Sequence, residues 1–137
     1  MALASVITLD SSLVIALLIE RDRHHDEAVR AFAREPGPPI VPAGILSELS
    51  YMVEQRLGAL ALLPFLDNLD QGIVALDCGE ADLPRISHLM QRYDDMRLGF
   101  ADAAVIACAE RSGGRVMTFD RRHFEVVARE GTITLVP

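Results

Sequence analysis

Four carboxylates stand inside or at the end of apolar runs: Asp10 closes SVITLD, Glu48 interrupts GILSELSYM, Asp102 is embedded in GFADAAVIACA and Asp120 ends RVMTFD. If these runs are core elements, each acid lies near or under an apolar surface, where an ionised carboxylate is costly unless paired or bound to a metal. No cation stands close to the first three in sequence, so a shared divalent ion is the sharpest explanation. Oxygen-only ligands select hard ions, Mg²⁺ or Mn²⁺, which keep several waters and accept phosphate oxygens. Such an ion lowers the pKa of a bound water and neutralises charge on a phosphodiester in flight; two ions clamp the attacking and leaving oxygens together. The chemistry indicated is phosphodiester hydrolysis.

Each acid also has a plain structural reading. Asp10 before Ser11-Ser12 is a good helix cap. Glu48 can sit on the polar side of its helix, and Asp102 gains from a helix dipole whatever its role. Asp120, followed by Arg121 and Arg122, can be a turn residue with a local ion pair. Only the set of four is specific.

The elements that must position these acids follow from hydrophobic spacing. Val6 to Leu9 is a β-branched run that stops at Asp10-Ser11-Ser12, and Leu13, Leu17 and Leu18 recur at helical spacing behind it. A short amphipathic helix spans 24–34 and ends at Glu35-Pro36-Gly37; a strand at Ile40-Val41 follows. Helices are predicted over 43–57 and 59–69, a third strand over 73–76, a helix over 79–93 and a largely buried helix over 98–109. Val116 to Phe119 and Thr132 to Val136 read as the last two strands, the final one at an edge. Strands alternating with helices imply a parallel sheet covered on both faces. In such sheets ligands gather beyond the carboxyl ends of the strands. Asp10 and Asp120 follow strands directly, while Glu48 and Asp102 lie early in helices, so all four can meet at one edge.

Composition bounds the function further. At 137 residues, half of them apolar, the chain fits one domain over 1–137 with a single core. Twenty acidic against thirteen basic residues, a net charge of −7, argues against bulk electrostatic binding of nucleic acid. All thirteen basic residues are arginine, which excludes lysine nucleophiles and Schiff bases. Cys78 and Cys108 have no C-x-x-C spacing and read as free, buried thiols of a reducing compartment. No run resembles a signal peptide or is long enough to span a bilayer, so a soluble cytoplasmic protein is expected, with no membrane partner.

With these residues in place the chain resembles the PIN-domain family, specifically VapC-type toxins of toxin–antitoxin modules. The likeness rests on Asp10-Ser11-Ser12 after the first strand, Ser47-Glu48-Leu49, Leu98-Gly99-Phe100-Ala101-Asp102-Ala103 and Thr118-Phe119-Asp120, and it covers essentially the whole chain. The resemblance implies a three-layer α/β/α sandwich around a mainly parallel five-stranded sheet. It implies a Mg²⁺- or Mn²⁺-dependent endoribonuclease whose Asp10, Glu48, Asp102 and Asp120 hold the metal and position water. It further implies an RNA substrate, a homodimer and inhibition by a small VapB-type antitoxin. The family often carries an Asp a few residues before L-G, where Asp95 stands; a solvated helix end beside Asp94 is the other reading of that residue. Where many relatives have proline, this chain has Arg97, a candidate phosphate contact.

Ser11 and Thr118 are placed to hydrogen-bond an acidic ligand or its water, though turn capping explains Ser11 equally well. Arg121, Arg122 and His123 form a basic cluster after the last acid and could steer a phosphate backbone; a solvated loop is the alternative. His24 and His25 are read as surface residues. A haloacid-dehalogenase-type phosphatase needs an Asp where Ser12 stands, a receiver domain needs a late lysine, and a P-loop needs G-K-[ST]; none is present. A catalytically silent interaction module and a housekeeping RNA-processing nuclease remain as alternatives.

Overall fold

The computed structural model describes residues 6–137, so the first five residues of the expected 1–137 domain lie outside the described part. Five strands, β1 (Ile7–Leu9), β2 (Ile40–Pro42), β3 (Ala75–Asp77), β4 (Arg115–Met117) and β5 (Thr134–Val136), form one sheet in the order β3-β2-β1-β4-β5. Every pairing is parallel, with Thr8 opposite Ile40 on one side of β1 and Val116 on the other. A parallel sheet is covered on both faces, so its central strands are apolar throughout. Ile7, Thr8 and Leu9 are accordingly all buried, and Thr8 shares its hydroxyl with the buried Cys108 thiol at 3.8 Å.

The intervening helices are α1 (Ser11–Leu18), α2 (His25–Ala33), α3 (Leu46–Leu57), α4 (Leu63–Asp70), α5 (Leu83–Arg92), α6 (Phe100–Arg111) and α7 (Arg121–Ala128). From β1 the chain steps through β2 to β3 in one direction, then returns past β1 to β4 and β5. Right-handed crossovers in opposite directions put α1–α4 and α5–α7 on opposite faces, which gives the three layers expected. The reversal falls between β1 and β4, the place where open α/β sheets gather ligands. Helix α6 carries Ala103 to Ala109, all buried, against β1, β2 and β4.

Several expected boundaries shift. The helices predicted over 43–57, 59–69 and 79–93 each open on a 3₁₀ turn, at Ala43–Ile45, Ala59–Leu62 and Glu80–Asp82. The third strand lies two residues later than its apolar pattern suggested, because Val74 is buried just ahead of the pairing register while Ile73 is exposed. The 121–123 stretch is not a solvated loop but the first turn of α7, an eight-residue helix that buries Phe124 and Val127. Cys78, expected buried, is exposed beyond β3, where Arg111 bridges Asp77 and Asp82; Cys108 is buried as expected, and both thiols are free.

One glycine decides how closely two site-bearing helices approach. Gly44 lies in the 3₁₀ turn leading into α3, and an added Cβ there would sit 2.8 Å from Ala104 Cβ and 3.3 Å from the Phe100 ring, both on α6. A methyl would force the start of α3, which carries Glu48, away from α6, which carries Asp102. Gly44→Ala is expected to cost about 1–3 kcal/mol by overpacking. Equal denaturation midpoints for variant and wild type would contradict this.

Candidate active site

Asp10 stands between the end of β1 and the start of α1, and its backbone amide donates to Met117 O at 3.1 Å, tying it to β4. Its side chain makes no hydrogen bond of the usual capping kind to α1. Instead Thr118 Oγ1 and Ser12 Oγ donate to Asp10 Oδ2 at 2.7 and 2.8 Å, and the two hydroxyls lie 3.1 Å apart. Asp10 is only 3% exposed. Burial pushes its carboxyl up to about 6, and the charge of Asp102 adds to this, while the hydroxyls of Thr118 and Ser12 and a backbone bond at Ser11 partly oppose it.

The other acids are linked to Asp10 by charge or through a neighbouring hydroxyl. Asp102 sits in the first turn of α6, where the helix dipole favours a carboxylate. It is half-buried, and His123 Nδ1 lies 2.8 Å from its Oδ2. A carboxylate oxygen calls for a donor, so the Nδ1–H tautomer is the one that satisfies this contact. Glu48, near the start of α3, is exposed and receives a hydrogen bond from Ser11 Oγ at 3.2 Å. Asp120 is also exposed; its amide donates to Thr118 Oγ1 at 3.0 Å, joining it to the same hydroxyl that binds Asp10. The expectation that all four acids lie under apolar surface therefore holds for Asp10 and partly for Asp102, but not for Glu48 and Asp120. The early-helix position of Glu48 places it at the rim.

Ser11 and Thr118 are both engaged with acids, Ser11 with Glu48 and Thr118 with Asp10. Ser12 was missed as a site residue, although its hydroxyl holds Asp10 and also accepts the Phe119 amide at 3.0 Å. The only signal for it was its place two residues after Asp10. Asp95 is not brought into the cluster: it is exposed in the 3₁₀ turn Asp94–Met96, and its Oδ1 accepts the Met96 amide at 3.1 Å. Arg97 follows in the left-handed region at φ 58°, a conformation closed to proline. The loop ahead of Leu98-Gly99 is thus built differently from one that carries proline there.

The basic cluster divides. Arg121 is engaged by Glu125 and by the Pro137 carbonyl, Arg122 is exposed, and His123 turns inward onto Asp102 instead of toward solvent. His24 and His25, read as surface residues, are half-buried. The His24 ring stacks on Phe119 with centroids 4.3 Å apart, and His25 Nδ1 lies 2.7 Å from Ala16 O.

The donor set fits a hard divalent cation. Asp102 is near enough for its charge to act on Asp10, and no cationic side chain offsets it, since Asp10's other partners are hydroxyls and a backbone group. Among the described residues no three His, Cys, Asp or Glu side chains stand together as a group that could hold a metal ion. The fit rests on the pair Asp10 and Asp102, since Mg²⁺ is held by one or two carboxylates and keeps positions for water and phosphate oxygens.

Comparison with known proteins agrees with this geometry. The PIN domain family model matches residues 7–130. The chain is 30% identical over 133 residues to Ribonuclease VapC26 of Mycobacterium tuberculosis (strain ATCC 25618 / H37Rv), covering 94% of this chain and 98% of the relative. Among solved structures, the sarcin–ricin-loop-cleaving toxin VapC20 of Mycobacterium tuberculosis superposes with a TM-score of 0.79 at 23% identity, over 88% of this chain and 94% of that one. VapBC2 of Rickettsia felis, bound to a promoter DNA fragment, gives 0.69 at 13% identity, over 96% of this chain and 97% of that one. DNA-bound VapBC of Salmonella typhimurium gives 0.65 at 19% identity, with the same two coverages. With the family model spanning nearly all described residues, the chain belongs to the PIN domain family.

Proposed function

We propose that the chain is a Mg²⁺- or Mn²⁺-dependent endoribonuclease toxin of the VapC type, neutralised by a cognate VapB-type antitoxin. The observation that carries this reading is the buried Asp10, close to Asp102 at the sheet's switch point and held by two hydroxyls and a backbone group with no cationic partner. A scaffold gains nothing from that arrangement, since an uncompensated buried charge destabilises the fold. A metal-binding nuclease does gain from it, and the likeness to Ribonuclease VapC26 over nearly the full length of both chains supports RNA as the substrate.

In this reading Asp10 and Asp102 hold the ion directly, with Glu48 and Asp120 at the rim holding it or its waters. The ion, when bound, supplies Lewis-acid stabilisation of the charge that builds on the phosphodiester. Thr118 and Ser12 clamp Asp10 Oδ2, which fixes the carboxylate's direction and leaves its remaining lone pairs for the cation. His123 does the same for Asp102, and Ser11 for Glu48. Pre-set orientation of this kind costs no reorganisation during the reaction. With a net charge of −7, RNA choice rests on shape and a few arginines, so a structured target such as a transfer RNA or a ribosomal RNA loop fits best. The protein works in the cytoplasm as a homodimer; no helix among the described residues is long and apolar enough to cross a membrane.

The test is cleavage of labelled RNA by the purified chain, free of antitoxin, with Mg²⁺ or Mn²⁺ added. Asp102→Asn is expected to lose at least about 10²-fold in rate, the scale for one electrostatic group at a transition state. If wild type cuts nothing, or the variant cuts equally well, the assignment fails.

A further inference from the structure

A groove of about 370 Å³ opens beside Asp120 and Ser12, and its walls include Arg23, His24, Arg56 and Phe119. We infer that this groove is the RNA-strand subsite next to the scissile bond, taking a phosphate on Arg23 and Arg56 and a base on the His24–Phe119 stack. The inference rests on the ribonuclease reading and names the place where that activity holds its substrate.

The chemistry of the walls suits a nucleotide. The volume lies in the range of small-ligand sites. His24 and Phe119 are parallel within 6°, so they present a ready stacking platform for a third ring, and stacking is tolerant of base identity. Arg23 Nε donates to His24 Nε2 at 3.2 Å, which sets its guanidinium beside that platform. Asp22, also in the wall, accepts the His24 amide at 2.8 Å, so its carboxylate shapes the turn that presents both residues.

Charge and geometry point the same way. Arg85, Arg92, Arg111, Arg115 and Arg121 are each bound to a carboxylate. Arg23 and Arg56 have no carboxylate partner among the described residues and stay exposed in the groove. In a chain of net charge −7, such uncommitted guanidinium groups next to the acids are what can hold a phosphate backbone. Glu48, Met52 and Arg56 are spaced four apart on α3 and so share one helix face. Arg56 then lies about 12 Å along the helix from Glu48, a length that roughly three stacked nucleotides span. Phe119 is fixed in turn by its amide bond to Ser12 Oγ, which also holds Asp10. The groove and the acid cluster are therefore built on the same residues.

The experiment is fluorescence anisotropy of a short labelled single-stranded RNA in EDTA, where no cleavage occurs, followed by cleavage kinetics with Mn²⁺. The paired variant Arg23→Ala/Arg56→Ala is expected to bind about ten-fold or more weakly and to raise KM more than it lowers kcat. Its slope of log Kd against log salt should fall by about 0.7 for each phosphate that the variant can no longer neutralise. His24→Ala is expected to weaken binding by about five-fold or more. Arg129→Ala, away from the groove, should bind like wild type, and thermal melts should show all variants folded.

RNA binding within about two-fold of wild type and an unchanged salt slope for the paired variant would overturn the subsite, even if RNA cleavage is confirmed. Loss of antitoxin binding with RNA binding intact would overturn it as well, in favour of a protein-docking groove. A wild type that binds RNA through these residues but never cuts it would leave the subsite standing and remove the nuclease reading.

Discussion

Asp10→Asn is expected to abolish RNA cleavage and at the same time to make the metal-free protein more stable at neutral pH. The two effects have one cause. Burial raises the Asp10 carboxyl from 3.8 to about 6, so the folded state holds its proton more tightly than the unfolded chain does. Stability from this group is fully present below pH 3.8 and is lost as pH rises through about 6. Above that the ionised carboxylate destabilises the fold by on the order of 3 kcal/mol, since each pH unit between the folded and unfolded values is worth about 1.4 kcal/mol. Asparagine can still accept the Ser12 and Thr118 hydroxyls and never ionises, so it removes the penalty. Denaturation in EDTA at pH 7.5 should favour the variant, with the gap closing toward pH 4. Added Mg²⁺ should reverse the order, because a ligand at about 1,000 times its Kd stabilises wild type by about 4.1 kcal/mol, more than the penalty. A variant less stable than wild type in EDTA at pH 7.5 would contradict the burial argument, and a variant that still cuts RNA would remove Asp10 from the site.

Phe124→Ala is expected to cost about 3–5 kcal/mol, the range for removing a fully buried aromatic ring. Phe124 is 1% exposed and, with Val127, fixes α7 to the core beside α6. The same helix turns His123 onto Asp102, so loosening α7 should lower cleavage under conditions where most molecules remain folded. His123→Ala separates the two roles. It removes a half-buried ring without opening the core, and is expected to change stability by about 1 kcal/mol or less while still lowering the rate and the affinity for Mn²⁺. Chemical denaturation of both variants, set beside Mn²⁺ titration, checks the division. If Phe124→Ala unfolds at the wild-type denaturant concentration, α7 does not contribute as its burial implies.

The parts of this protein that were legible in the sequence are those governed by local periodicity. Apolar runs ending in polar residues marked β1 and β4, and the run of small residues around Asp102 marked a helix buried on most sides; all three exist, with β4 ending two residues earlier and the helix starting two residues later than their patterns suggested. The four acids could be picked out because a carboxylate inside an apolar run conflicts with its surroundings, and that conflict is written in consecutive residues. Helix α7 was not legible in the same way. It is short, opens on Arg121 and Arg122, and shows only Phe124 and Val127 as buried positions, too little apolar periodicity to stand out from a loop. Only the tertiary structure decided how deeply each acid lies, since burial depends on which elements cover a residue after the sheet reverses direction between β1 and β4. It also decided the partners. Ser12 meets Thr118, His123 meets Asp102, and His24 meets Phe119 across separations of about a hundred, twenty and ninety-five residues, contacts that no local pattern encodes. The sequence by itself determined which groups could carry the chemistry; the parallel pairing of β1 with β4 determined which of them stand together.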